Sequence, residues 1–315
     1  MKKIYLVFIT LLGLTINANS QSGFIKETHH FEIDTILRVS VLFDGEYYCL
    51  REDHQLFTLT PKTGIVDTSL NLITISLKLQ DLYVHHDTLF ARSRFKTYYL
   101  TKNHSWKFLS QNQRNINYLY EDERFSVIST CSGEWGGSLY FTDKKTKRNY
   151  ECQCTCAVNV QKENNNYLIA ASLSHLSGFA NIFKIADPLK LKKYDRSNLK
   201  GKKVIYVGED ESKSTQGTEQ LVDSVGITIA ATINHNGKNY YLINKYKQVS
   251  IDTVGNKKLN PVENLTTMGI YAYDSWEIRT SDDHQIATFA NNKKTGFIDI
   301  NKNKLSFYIF DIKHK

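Results

Sequence analysis

An all-β fold assembled from repeated antiparallel meanders is what this sequence predicts, on three observations. The chain has 19 Tyr and 16 Phe against only 3 Pro, a composition suited to half-buried pleated strands. A phrase of apolar strand, polar turn, aromatic strand and second turn recurs at 41–59, 89–100, 125–141, 167–185, 227–243 and 285–300. Its copies start roughly 36 to 60 residues apart, near the roughly 40 to 50 residues of a propeller blade. Together these predict a six- or seven-bladed β-propeller. The uneven spacing leaves a β-sandwich, or a pair of mixed antiparallel β domains, as the alternative.

The first stretch has the layout of a signal peptide. Lys2 and Lys3 precede an apolar run at 4–16, and Ala18, Asn19 and Ser20 supply small residues before Gln21. Cleavage is expected after Ser20, and no cysteine follows it as a lipid acceptor. The apolar run is too short for a membrane span, which needs about 20 residues, so the mature chain is expected to carry no transmembrane span. Residues 21–315 then form a single β-propeller-like domain, secreted or periplasmic. Removing Lys2 and Lys3 from the 40 Lys and Arg, against 32 Asp and Glu, leaves a net charge of about +6. That charge is spread over short runs such as Lys144, Lys145, Lys147 and Arg148. Such runs read as solvated hairpin tips, and no nucleic-acid partner is expected.

The repeat from Ile227 is the plainest. Ile227, Ile229, Ala231 and Ile233 alternate with more polar positions, and Asn234, His235, Asn236 and Gly237 form a turn that tolerates positive φ. Residues 239–243 return antiparallel, and 249–254 give a third strand. The same logic places strands at 125–131, 138–142 and 150–156. No 12-residue window of the mature part shows a convincing helical stripe. The nearest, 69–80, alternates from Ile73 onward and reads as strand. Residues 191–223 interrupt the rhythm as a surface insertion, with a short strand candidate at 203–207 and a polar run at 208–220 whose composition favours mobility.

Lys62, Thr63 and Gly64 recur as Lys294, Thr295 and Gly296, each before an apolar strand start. These words resemble the Thr-Gly turns that join outer strands in quinoprotein-like propellers, where glycine is left-handed. With the repeat rhythm, the chain resembles a β-propeller repeat protein of the bacterial envelope. That resemblance implies a fold and no activity, because propellers host unrelated functions.

The densest local chemistry is Cys131 with the turn through Glu134 and Trp135, beside Cys152, Cys154 and Cys156. On a strand, residues 152, 154 and 156 share one face. A disulfide, buried free thiols and a thiolate metal site are the three readings. A simple meander separates Cys131 from the triplet by two strand spacings, ~9.6 Å, beyond the ~7 Å Cα limit for a bridge. A bridge therefore requires the strand ends to converge. Cys49 reads as a small core residue, and the total of 5 cysteines leaves at least one outside any intrachain pair.

Glu134, Trp135 and His175 are the candidate ligand contacts. Trp135 offers a flat face and Glu134 a hydrogen-bond acceptor, against the plainer readings of Trp135 as a core plug and His175 as a structural residue. The pairs His29 with His30 and His85 with His86 point to opposite faces and do not chelate one ion. No Gly-x-Ser-x-Gly elbow nominates a nucleophile. Asp81, Asp122, Glu123, Asp143, Asp187, Asp274, Asp282 and Asp283 mostly sit at turns, where Asx-turns explain them. No calcium loop is present, and no metal or cofactor is expected.

Thr35, Thr88, Ser224 and Thr253 each follow Asp and precede an apolar residue. That pattern resembles the O-glycosylation acceptor used in some Gram-negative envelopes, and it is also an ordinary entry from turn to strand. The sequence therefore reads as an envelope binding module presenting propeller loops to a protein or glycan partner. The alternative is a carbohydrate-active or other hydrolase working at the propeller's central mouth.

Overall fold

The computed structural model describes residues 23–61, 63–109, 119–175, 177–201, 204–272, 276–281 and 283–313. The expected signal peptide, Lys62, Asp274 and Asp282 lie outside them. The strands form six sheets, and every recurring phrase of the sequence falls in a different one. This is the blade organisation of a six-bladed β-propeller.

The first sheet holds Leu37–Phe43, Glu46–Arg51, Leu56–Leu59 and Val66–Asp67, and the second Asp81–His85, Thr88–Arg92, Thr97–Leu100 and Trp106–Phe108. The third runs through Tyr120–Glu121, Phe125–Ser129, Ser138–Asp143 and Asn149–Gln153, and gains Lys192–Lys193 at its edge. Ala157–Glu163, Asn166–Leu173, Phe179–Ile185 and Thr218–Val225 make the fourth; Thr228–His235, Lys238–Lys245, Gln248–Gly255 and Lys258–Asn264 make the fifth. The sixth holds Glu277–Ser281, His284–Ala290, Lys294–Asn301 and Lys304–Ile312. Ile25–Ile33 joins it by parallel pairing with Lys304–Ile312, so the amino-terminal strand completes the carboxy-terminal sheet.

The described residues divide into two compact units, within Met1–Gln113 plus Leu265–Lys315 and within Arg114–Asn264. The first, second and sixth sheets belong to one unit, and the third, fourth and fifth to the other. Tight hairpins follow from residues that tolerate left-handed φ: Asp44 and Gly45 at 49° and 76°, Asn236 and Gly237 at 50° and 69°. These are the backbone angles that two-residue turns require.

Sheets buried on both faces explain the runs of aromatic and aliphatic residues. Tyr47 packs with Phe297 and Tyr308 of the sixth sheet, whereas its neighbour Tyr48 packs with Leu82 and Leu89 of the second. Alternation sends adjacent side chains to opposite faces, and both faces meet a core. In the other unit, the Tyr167 ring meets Phe125 and Phe141 edge to face at 6.0 and 5.3 Å. Such pairs add about 0.5–1.5 kcal/mol beyond the area they bury.

Three local expectations are corrected. The 69–80 segment contains the α-helix Asn71–Leu77, ended by Lys78 at φ 50°. Apolar spacing over so few residues satisfies both periods, and the helix places Thr74 inside with its hydroxyl donating to the Leu70 carbonyl at 3.1 Å. Lys294, Thr295 and Gly296 open a strand and are not a turn. Gly296 is required there by close approach, because a Cβ would lie 2.0 Å from the Tyr308 carbonyl oxygen. Val204 to Val207 form no strand.

Gly296→Ala is therefore expected to destabilise the protein by about 3 kcal/mol through overpacking, read as a lowered urea midpoint. An unchanged midpoint would contradict the packing described.

Candidate functional site

The cysteines and the insertion converge in the unit of the third to fifth sheets. Cys131 and Cys156 form a disulfide with Cα atoms 4.5 Å apart. The predicted strand 150–156 stops at Gln153, so the triplet does not share one strand face. Cys156 lies instead at the crossing into the fourth sheet, with φ 54°, and that exit brings it to Cys131. Cys152 and Cys154 are buried thiols. Burial, with the Glu151 charge behind it, pushes the Cys152 thiol up to about 12. Both thiols are therefore protonated and unreactive near neutrality. Among the described residues no group of three or more His, Cys, Asp or Glu is placed to hold a metal ion.

The disulfide begins a turn whose 3-10 segment, Gly133–Trp135, carries two of the predicted site residues. Trp135 is 60% exposed, so it is not a core plug. Glu134 Oε2 lies 3.2 Å from His175 Nδ1, which joins the third predicted residue to the same turn. Both side chains are about half exposed, and such a pair contributes little to stability.

The polar run of the insertion is anchored here. Glu211 is 8% exposed, and its carboxylate accepts the hydroxyls of Thr130 at 2.6 Å, Ser132 at 2.7 Å and Ser138 at 2.5 Å. The Ser212 amide donates to the Ser138 hydroxyl oxygen at 2.7 Å, and the Gln153 amide to the Ser214 carbonyl at 2.8 Å. Gly208 rests against Trp135, where a Cβ would lie 2.5 Å from the Trp135 carbonyl oxygen. Burial raises the Glu211 pKa, but the three hydroxyls and the Arg196 charge outweigh it and hold the carboxyl below its ordinary value.

A cleft of about 490 Å³ runs beside this latch, with Trp135, Val207, Lys213 and Arg196 in its lining. Arg196 donates to Glu151 at 3.0 Å and to the Tyr140 hydroxyl at 2.5 Å, and its guanidinium lies 4.4 Å from the centroid of the Tyr194 ring. Lys192 adds a second cation 3.5 Å from Glu151, whose side chain is 1% exposed. Sequence reading missed Glu211 and Glu151, which lie far from their partners along the chain. Glu209, Asp210 and Glu211 stand in succession within the polar run, and nothing local in the sequence distinguishes the buried member.

The remaining candidates lie elsewhere. Thr35 precedes the first sheet, and Thr88 donates its hydroxyl to the His86 carbonyl at 3.2 Å. Ser224 stands on Thr218–Val225, and Thr253 donates to the Asn239 carbonyl at 3.5 Å. Asp122, Asp143 and Asp187 accept backbone amides two residues onward, as Asx-turns do. Asp81 instead pairs with Arg279.

No family model and no curated protein sequence matches the chain. Among solved structures, BamB from Moraxella catarrhalis is similar at 10% identity and a TM-score of 0.44, covering 88% of this chain and 96% of that one. The β-propeller domain of Cps50 (Swd1) from Myceliophteria thermophila is similar at 8% identity and a TM-score of 0.37, covering 81% and 80%. A computationally designed protein, Ika8, is similar at 9% identity and a TM-score of 0.37, covering 88% of each chain.

The latch has a pH signature. A carboxylate whose folded pKa is lowered stabilises the fold fully above its unfolded value of about 4.5, and that contribution is lost as pH falls through the folded value. Glu211→Gln is expected to cost about 1.5–3 kcal/mol at pH 7, with the gap to the parent closing in acid. A gap unchanged between neutral and acid pH in urea unfolding would contradict the latch.

Proposed function

We propose that the protein is a non-enzymatic binding module, working outside the cytoplasm, that docks a protein partner on the surface formed by Trp135 and residues 204–207. The observation that carries this reading is exposure combined with anchoring. Val204, Ile205, Tyr206 and Val207 are 63%, 49%, 72% and 68% exposed, beside Trp135 at 60%. A run of large apolar residues in water is unfavourable unless something covers it, and such patches mark interaction surfaces. Here the run enters directly the loop that Glu211 and the Cys131–Cys156 disulfide hold in place.

A protein suits this surface better than a glycan. Four consecutive aliphatic and aromatic residues offer one side-chain hydroxyl among them, whereas hydroxyl-rich ligands need many polar partners. The cleft beside the patch adds Arg196 and Lys213 as polar contacts at its rim. A disulfide also suits an oxidising compartment, in keeping with the export expected from the first 20 residues. Among the described residues no helix is long and apolar enough to cross a membrane.

The test is photo-crosslinking of the full chain in its native cell, with the reactive residue placed at Trp135, at Tyr206 and, as a control, at Phe95, which is 82% exposed in the other unit. One discrete adduct shared by positions 135 and 206 and absent at 95 is expected. No adduct, or the same adduct at all three positions, would overturn the proposal.

A further inference from the structure

We propose that a second site, for a neutral saccharide with adjacent hydroxyls, lies in the unit formed by the first, second and sixth sheets. A cavity of about 960 Å³ opens there among the hairpin ends of these sheets, within the ~300–1,000 Å³ of small-molecule sites. Phe43, Tyr48 and Tyr99 give it aromatic surface, and Asp283, His284 and Asn301 give it polar groups.

The polar end is held by a chain of hydrogen bonds that begins in the core. The Tyr47 hydroxyl donates to Asp299 Oδ2 at 2.6 Å, and Asp299 Oδ1 lies 2.7 Å from His284 Nδ1. The Asp299 side chain is only 8% exposed. Burial, reinforced by the Asp299 charge, pushes the Tyr47 pKa up, so its proton stays in place as donor. Facing a carboxylate, His284 Nδ1 carries the ring proton, and Nε2 accepts from Asn301 Nδ2 at 2.7 Å. His284 is then a positioning residue, and what it positions is the Asn301 amide.

That amide has capacity left over. One of its N–H groups is taken by His284. Its Oδ1 and second N–H have no protein partner among the described residues, and Asn301 lines the cavity. An acceptor and a donor fixed side by side match two neighbouring hydroxyls, one donating and one accepting. Tyr48 is buried beneath the cavity and packs edge to face with Phe43, so Tyr99, outside the buried clusters, is the ring that can meet the C–H side of a sugar. Burial, with Glu46, Asp44 and Asp67 nearby, pushes the Tyr48 pKa up to about 12, so its hydroxyl is neutral. The charges at the rim are of both signs, Asp44, Asp87 and Asp283 with Lys102. The acidic excess makes organic cations the competing ligands, which the titration includes. The chain from Tyr47 to Asn301 sets the amide before the ligand arrives, which lowers the ordering cost of binding.

Isothermal titration of the full chain with maltotriose, cellotriose and triacetylchitotriose, and with choline and spermidine, tests this site. Saturable binding of at least one trisaccharide is expected, weakened about tenfold or more by Asn301→Ala, the loss of hydrogen bonds worth about 1.4 kcal/mol. Tyr99→Ala, outside the buried clusters, should weaken it too and carries the test if Asn301→Ala lowers the melting temperature. Tyr246→Ala, 77% exposed in the other unit and outside both proposed sites, should leave it unchanged. Absence of trisaccharide binding at millimolar concentration, binding that survives both cavity variants, or binding of the cations alone would overturn the proposal.

Discussion

A buried carboxylate cannot be left without partners, and in this protein the partners of Glu211 organise the region where function is proposed. An unpaired buried charge costs several kcal/mol. Thr130, Ser132 and Ser138 meet that demand from both ends of one turn. The consequence is mechanical: the insertion is tied to the third sheet, the turn is closed around Trp135, and the apolar run before Gly208 is held out to solvent. The disulfide acts on the same turn from its other side, fixing Cys131 to the strand crossing at Cys156.

The sheets that carry this arrangement were legible because they are buried on two faces. Tyr47 and Tyr48 serve different cores, so the strand reads as a dense apolar run, and six such runs gave the six sheets. Outer strands were harder to see. Lys258–Asn264 is almost wholly exposed and contains Pro261, which edge strands tolerate; its sequence resembles a loop. The helix Asn71–Leu77 was misread because seven residues are too few to separate the two periods.

The candidate site was half legible. Glu134, Trp135 and His175 were chosen for their chemistry, and the structure brings Glu134 to His175. The cysteines hold a disulfide together with buried thiols, two of the three readings; the expected strand is three residues too long, which hid the crossing that brings Cys156 to Cys131. Glu211 and the Tyr47–Asp299–His284–Asn301 chain were illegible for a different reason. The hydroxyl partners of Glu211 lie 73 to 81 residues away and Tyr47 lies 252 residues from Asp299, separations that only the packing of sheets closes. His284, by contrast, lies 15 and 17 residues from Asp299 and Asn301 across one hairpin.

Amide hydrogen exchange at Ser212 tests most directly whether Glu211 anchors the insertion. Its N–H is buried and bonded to the Ser138 hydroxyl oxygen, so strong protection is predicted at neutral pH, collapsing in Glu211→Ala while the strands of the third sheet stay protected. Exchange at the rate of an unstructured peptide in the unmodified protein would contradict the account.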